Sequence, residues 1–181
     1  LYLFSEWQCM NGLLIPLHGT DGTIKGHQLR PYKPRTNKKG KTVKYETPTG
    51  ESNFLDINPL MLHRIQQPRE VIWITEGAKK VDALATIGLP CIGLKGVWGW
   101  RGKNPQGGFT TVADWEDVNI KGNTFVIAFD NDIHTNQMVH DSMYRLKQFL
   151  LHRGADTVGI LQLPYDPENK MGVDDYLASI R

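Results

Sequence analysis

Three acidic residues stand where an alternating α/β chain can do chemistry. In "FVIAFDND" (residues 125–132) five apolar residues run straight into Asp130 and Asp132, and in "VIWITEG" (71–77) a similar run ends in Glu76 and Gly77. Such runs read as strands covered on both faces, as inside a parallel sheet. Two carboxylates one residue apart at the end of a buried strand repel each other unless a positive partner sits between them. Ligands of open α/β sheets bind outside the carboxyl ends of the strands. If the two strands are neighbours, three carboxylates meet at one sheet edge. Oxygen donors at that density suit a hard divalent cation, magnesium or manganese, rather than zinc. Taken singly, each acid reads equally well as a helix cap or a solvated loop residue.

The elements that must position these acids are legible from periodicity. From residue 71 the pattern predicts a strand in "VIWIT", then a helix in "AKKVDALATIG" with Val81, Leu84 and Ala85 on one face and Gly88 as its stop. "PCIGL" follows as a second strand and "KGVWGWRGKNPQGG" as a loop. "TFVIAF" is the third strand. "NQMVHDSMYRLKQFLLHRG" is a long amphipathic helix with Val139, Met143, Leu146 and Leu150 at helical spacing and Gly154 beyond its end. "TVGILQL" gives a fourth strand and "VDDYLASI" a closing helix. The fold class expected is α/β: a parallel four-stranded sheet with helices on both faces. The first third reads as β-rich, with a hairpin of "LLIPLH" and "TIKGHQLRPYK" about "GTDG", a tip "PRTNKKGK", and a third short strand near residues 42–45. "NPLMLHRI" reads as a short helix capped by Asn58, with Pro59 in its first position. A boundary in "QQPRE" (66–70) divides a small basic subdomain, 1–66, from the α/β domain, 67–181.

At 181 residues the chain suits one domain with a small appendage. A chain of that size buries about 70% of its unfolded surface and needs no staples. Its two cysteines, Cys9 and Cys91, make neither a disulfide framework nor a four-ligand zinc site by themselves, and reduced thiols in a cytoplasmic protein are expected. No signal peptide and no long apolar run is visible, so no membrane partner is expected. The chain opens on Leu1, which suggests a segment of a longer polypeptide. The net charge of +2 hides an asymmetry. Residues 24–47 hold eight cations (Lys25, Arg30, Lys33, Arg35, Lys38, Lys39, Lys41 and Lys44) against Glu46 alone, or +7, leaving −5 for the rest. Such a segment can track the phosphates of nucleic acid, and the interleaved Tyr32 and Tyr45 can stack on unpaired bases. It reads also as a solvated hairpin whose lysines protect an edge strand. Trp98 and Trp100, with Arg101 and Lys103, form a second candidate platform, or else plug the core.

"VIWITEGAKKVDALATIGLP", "FVIAFDND" and "KMGVDDYLA" resemble the TOPRIM domain shared by primases, topoisomerases and some nucleases. The likeness is greatest to TOPRIM-like domains of plasmid- and phage-type replication proteins, where a phrase similar to "GLKGVWGW" follows the second strand. It covers residues 71–178, and more loosely the basic first third, which is similar in placement to the subdomain preceding TOPRIM in bacterial-type primases. The resemblance implies a Rossmann-like TOPRIM fold, with Glu76 as general acid or base or metal ligand, and Asp130 and Asp132 as the metal pair for Mg2+ or Mn2+. Asp174 and Asp175 then either aid a second metal or cap the closing helix. Lys79 and Lys80, with Lys95 and Arg101 after the second strand, become candidate phosphate ligands, or for the first two an exposed helix face. The chain departs from the family where Ile133, His134 and Thr135 follow the second aspartate in place of a small residue. His134 reads as a solvated loop residue.

The reaction implied is phosphoryl transfer: a ribose 3′-hydroxyl attacks the α-phosphate of an incoming nucleotide and pyrophosphate leaves. The expected function is that of the catalytic core of a DNA primase from a plasmid, phage or mobile element. Its partners would be a single-stranded DNA template, nucleoside triphosphates and a helicase domain or subunit. A TOPRIM nuclease or topoisomerase fragment is the alternative enzyme, though no tyrosine stands out as a topoisomerase nucleophile. A non-catalytic nucleic-acid-binding module is the third reading, and it alone predicts DNA binding with no metal-dependent activity.

Overall fold

A computed structural model of the chain describes residues 4–38, 40, 42–164, 166 and 170–180, and for Asp132 and His134 the backbone alone. The chain begins with an antiparallel hairpin of β1 (Gly12–His18) and β2 (Ile24–Pro31) about the predicted turn. Beyond β2 the predicted third strand does not form. Single bridges, Thr36 to Thr42 and Leu29 to Glu46, stand in its place. The lysines, prolines and glycine of this stretch offer no alternating apolar face to bury, so no ladder is sustained. A two-residue strand β3 (Asp56–Ile57) precedes a tight turn, Pro59–Met61, and a short helix α1 (Leu62–Ile65). Asn58 caps the turn as predicted, its Oδ1 accepting from Leu60 N at 3.0 Å.

The remainder alternates. β4 (Val71–Glu76) leads into α2 (Ala78–Ala85), then β5 (Cys91–Leu94). The loop after β5 contains a small hairpin of β6 (Arg101–Lys103) and β7 (Phe109–Thr111) that periodicity did not reveal, each strand being three residues long. A turn at Ala113–Asp117 precedes β8 (Thr124–Ala128), and a further turn, Asn131–His134, leads to α3 (Gln137–His152), β9 (Thr157–Ile160) and α4 (Val173–Ser179). The sheet has five strands in the order β3-β5-β4-β8-β9. The four expected strands are its parallel members; the fifth, β3, adds antiparallel to β5. Two residues carry no readable period, so this strand was invisible to the sequence.

Alternation along the strands sends side chains to two cores. Ile72 and Ile74, Ile92 and Leu94, and Phe125 and Ile127 meet Val139, Met143, Leu146 and Leu150 of α3 on one face, with Trp100 and Trp115. Trp73 and Cys91 meet Val81 and Leu84 of α2 and Val173 and Leu177 of α4 on the other. Each buried aliphatic side chain contributes roughly 2 kcal/mol. Gly93 lets α2 approach, for a Cβ there would lie 2.6 Å from Val81 Cγ2. No helix among the described residues is long and apolar enough to cross a membrane.

Candidate functional site

β4 lies between β5 and β8, so the strand order reverses between β4 and β8, the place where open α/β sheets take their ligands. The two strands are parallel neighbours with Thr75 opposite Ala128, and the buried Thr75 hydroxyl donates to Ala128 O at 2.8 Å. Glu76 closes β4 and Asp130 stands two residues beyond Ala128. Gly77 takes φ 90°, ψ 144°, a conformation that L side chains rarely adopt, and this turns the chain sharply from β4 into α2.

That turn delivers two lysines to the acids. Lys80 Nζ lies 2.8 Å from Asp130 Oδ1 and donates to Glu76 O at 3.2 Å. Lys170 Nζ lies 3.1 Å from Asp130 Oδ2. Lys79 Nζ is 2.8 Å from Asp174 Oδ2 and 3.9 Å from Asp175 Oδ1. The positive partners of Asp130 and Asp174 are therefore ammonium groups. The two adjacent aspartates divide their work. Asp175 Oδ2 accepts from Gly172 N at 3.2 Å and caps α4, whereas Asp174 turns inward. Burial pushes the Asp174 carboxyl up, but the Lys79 hydrogen bond and the Lys80 and Lys79 charges outweigh it and hold its pKa below the ordinary value. The hydrogen bond to Asp174 raises the Lys79 pKa in return.

Asn131, between the two acids of the motif, escaped the sequence reading. It is 3% exposed. Its N–H donates to Met171 O (3.0 Å), its Oδ1 accepts from Met171 N (2.9 Å) and its Nδ2 donates to Pro164 O (3.1 Å). It thereby fastens the segment before α4 across the end of β8. The signal available was a lone amide flanked by acids at the end of a buried strand, where a polar side chain must be satisfied by backbone.

Gly172 sits at the centre of the cluster. A Cβ there would lie 2.7 Å from Asp174 Oδ1 and 3.0 Å from Asp130 Oδ1 and would strike Lys80 Cε. Those two carboxylate oxygens are buried and neither has a hydrogen bond; Lys80 Nζ is close to the first but off its hydrogen-bonding directions. Two buried hard oxygens without a hydrogen bond, converging on one small residue, are donors of the kind a divalent cation takes, with the Lys80 ammonium standing beside the first. Among the described residues no group of three acids, histidines or cysteines is close enough to hold a metal. The donor set they leave is open, as suits an ion that keeps waters and substrate oxygens. Asp132 lies in the turn Asn131–His134, and its side chain and that of His134 are outside the described set.

Other predicted ligands are placed differently. Lys95 has 9% of its side chain exposed and binds Glu51 Oε2 (2.8 Å) and Ser52 O (2.5 Å) over the Phe54 ring (3.8 Å). Burial pulls its pKa down against the pull of Glu51. It clamps residues 51–54. Trp100 is 6% exposed with Nε1 donating to Ser142 Oγ at 3.2 Å, so its ring belongs to the core and offers no face to a base. Trp98 is half-buried between Trp100 and the guanidinium of Arg101, 3.7 Å from its ring centre. Arg35 is spent on Glu46, a 2% exposed carboxylate, through Nε (2.5 Å) and Nη2 (3.0 Å). Arg30 stands over Tyr45, whereas Lys33, Lys38, Lys44 and Tyr32 are exposed. Lys39 and Lys41 lie outside the described residues.

Residues 63–180 match the family described as "Domain of unknown function (DUF3854)". No curated protein matches the sequence. Among solved structures, the fold is similar to that of the Aquifex aeolicus primase (zinc-binding and RNA polymerase domains), with a TM-score of 0.55 at 13% identity. The alignment covers 93% of this chain and 37% of that one, so the chain spans well under half the length of the primase fragment. At that identity the likeness shows a primase-like fold and no more.

Proposed function

The chain belongs to the DUF3854 family, and we propose that its site performs primase-type nucleotidyl transfer on single-stranded DNA within a TOPRIM-like domain. The observation that carries this reading is the pair of buried oxygens without a hydrogen bond, Asp130 Oδ1 and Asp174 Oδ1, beyond the carboxyl ends of β4 and β8 with Lys79 and Lys80 beside them. The similarity in fold to a primase supports it. Asp130 and Asp174, joined by Asp132 from the adjoining turn, would hold Mg2+ or Mn2+. A bound divalent cation supplies Lewis acidity to a phosphoryl oxygen and makes a hydroxyl easier to ionise.

The chain's own groups account for the rest. Glu76, at the end of β4, accepts the proton of a primer 3′-hydroxyl as its oxygen bonds to the α-phosphorus of the incoming nucleotide. The bond to the bridging oxygen breaks and pyrophosphate carries the electron pair away. Lys79 and Lys80 exchange their carboxylate partners for phosphate oxygens, a like-for-like replacement of one anion by another. The basic first third then holds template, with Lys33, Lys38 and Lys44 exposed for phosphates and Tyr32 for a base. An origin in a plasmid, phage or mobile element and a helicase partner belong to the same reading.

A second reading has its own support. Lysine ammonium groups already neutralise Asp130 and Asp174, as they would in a DNA-binding module whose acids are structural. Primer synthesis separates the two. Single-stranded DNA and labelled ribo- and deoxynucleotides, with Mg2+ or Mn2+, should yield short products from the parent and none from Asp130→Asn. Degraded DNA in place of products would move the site to nuclease chemistry. DNA binding without either activity, in parent and variant alike, would leave the binding module.

A further inference from the structure

The outer flank of α3 and the β6–β7 hairpin carry a cationic surface that the carboxylate site does not use. Ser142 of α3 donates to Val97 O (2.6 Å) and accepts from Trp100 Nε1 (3.2 Å), which pins the loop after β5 against the helix. Arg145 stands one turn along the same helix from that contact. Burial and the Arg145 charge together lower the Arg101 pKa. Arg101 is held between rings, 3.7 Å from the centre of Trp98 and 4.6 Å from that of Phe109, and its Nε is buried with no hydrogen-bond partner. Arg145 is exposed. The acid that helical spacing offers it, Asp141, accepts instead from Gln137 Nε2 at 2.7 Å, and no other ion pair reaches Arg145 among the described residues.

The two guanidinium charges act on one another and repel, and an anion shared by them removes the repulsion. Their planar forks match phosphate oxygens. Exposed rings flank them: Phe109 is 62% and Tyr144 57% exposed. A groove of about 640 Å³ runs along the same flank, lined by Gln137, His140, Asp141, Tyr144 and Arg145. Its Gln137 end lies at the start of α3, three residues beyond the turn Asn131–His134. Phosphate ligands next to open rings suit a single strand, whose bases have free faces; a duplex hides those faces in its own stack. We propose that Arg101 and Arg145, with Phe109 and Tyr144, form a track that holds single-stranded nucleic acid along the outer face of α3. The track rests on the nucleic-acid part of the proposed function and is independent of catalysis.

Binding of fluorescein-labelled dT20 to the full chain, followed by anisotropy across a salt series, tests it. Arg145→Ala should weaken binding about tenfold, as expected for one lost charged phosphate contact, and lower the salt slope by about 0.7. Phe109→Ala should weaken dT20 about tenfold but leave an abasic strand of equal length nearly unaffected. Both positions are exposed, so melting temperatures should match the parent. Unchanged affinity and salt slope in Arg145→Ala, with loss confined to a Lys33→Ala/Lys38→Ala/Lys44→Ala variant, would overturn the track alone. Equal loss of abasic and dT20 binding in Phe109→Ala would also overturn it, in favour of a bare polyanion surface. A parent that binds dT20 through these residues yet makes no primer would sink the priming reading and leave the track in place.

Discussion

Asp56 couples the first third of the chain to the sheet, and its titration is measurable. It lies in β3, 7% exposed, with Oδ1 accepting from His18 N at 2.9 Å at the end of β1. Burial raises its pKa to about 7, helped by the charge of Asp82 and opposed by the His18 hydrogen bond and Lys95. In the unfolded chain the same carboxyl ionises near its ordinary 3.8. Between those values the folded protein keeps a proton that the unfolded chain has released. This group's contribution to stability is therefore complete below about pH 3.8, declines as pH rises toward 7, and is spent above it. At about 1.4 kcal/mol per decade of proton affinity, the full span is worth about 4 kcal/mol, of which about 3 falls between pH 4.5 and 8. Asp56→Asn keeps an acceptor for His18 N and has no charge to titrate. Guanidinium denaturation of parent and variant at constant ionic strength isolates the Asp56 contribution, since other groups cancel in the difference. The variant should gain about 3 kcal/mol on the parent between pH 4.5 and pH 8. Parallel stability curves would refute the argument, because they would mean that Asp56 folds already ionised and that the β1–β3 junction is wetter than described.

Two further substitutions probe the ion-pair logic. Arg35→Ala should lower the denaturation midpoint by abandoning the buried Glu46 carboxylate, whereas Lys33→Ala, on the same exposed stretch, should leave it unmoved; equal midpoints for all three proteins would return Arg35 to the DNA-binding set. Gly172→Ala should fold normally, since φ −103°, ψ 173° suits any residue, but its Cβ displaces Lys80 from Asp130 and crowds both carboxylates. Primer synthesis should fall at least tenfold with the far-ultraviolet circular dichroism unchanged, and full activity would show that the chemistry lies elsewhere.

The local periods of this sequence were enough to predict β4, β5, β8 and β9, the helices between them, the Asn58 cap and the strand-end positions of Glu76 and Asp130. Each is written in residues a few places apart, where backbone propensity and one apolar face decide the outcome. The pairing of strands and of charges is not local. That β4 and β8 are neighbours, and so bring Glu76 and Asp130 to one edge, depends on a contact 53 residues apart between Thr75 and Ala128. By sequence Lys79 and Lys80 read as phosphate ligands or an exposed helix face, and nothing local shows that α4 and the end of β8 supply Asp174 and Asp130 as their partners. Asp174 and Asp175 are indistinguishable by type, and only the geometry at Gly172 makes one a cap and turns the other inward to Lys79. Trp100 and Arg35 carry the chemistry of a nucleic-acid surface, yet a helix 42 residues away buries the first and Glu46 claims the second. Residue type determines what a side chain can bind; which partner reaches it first, and whether water remains, is decided by the packing of distant segments against it.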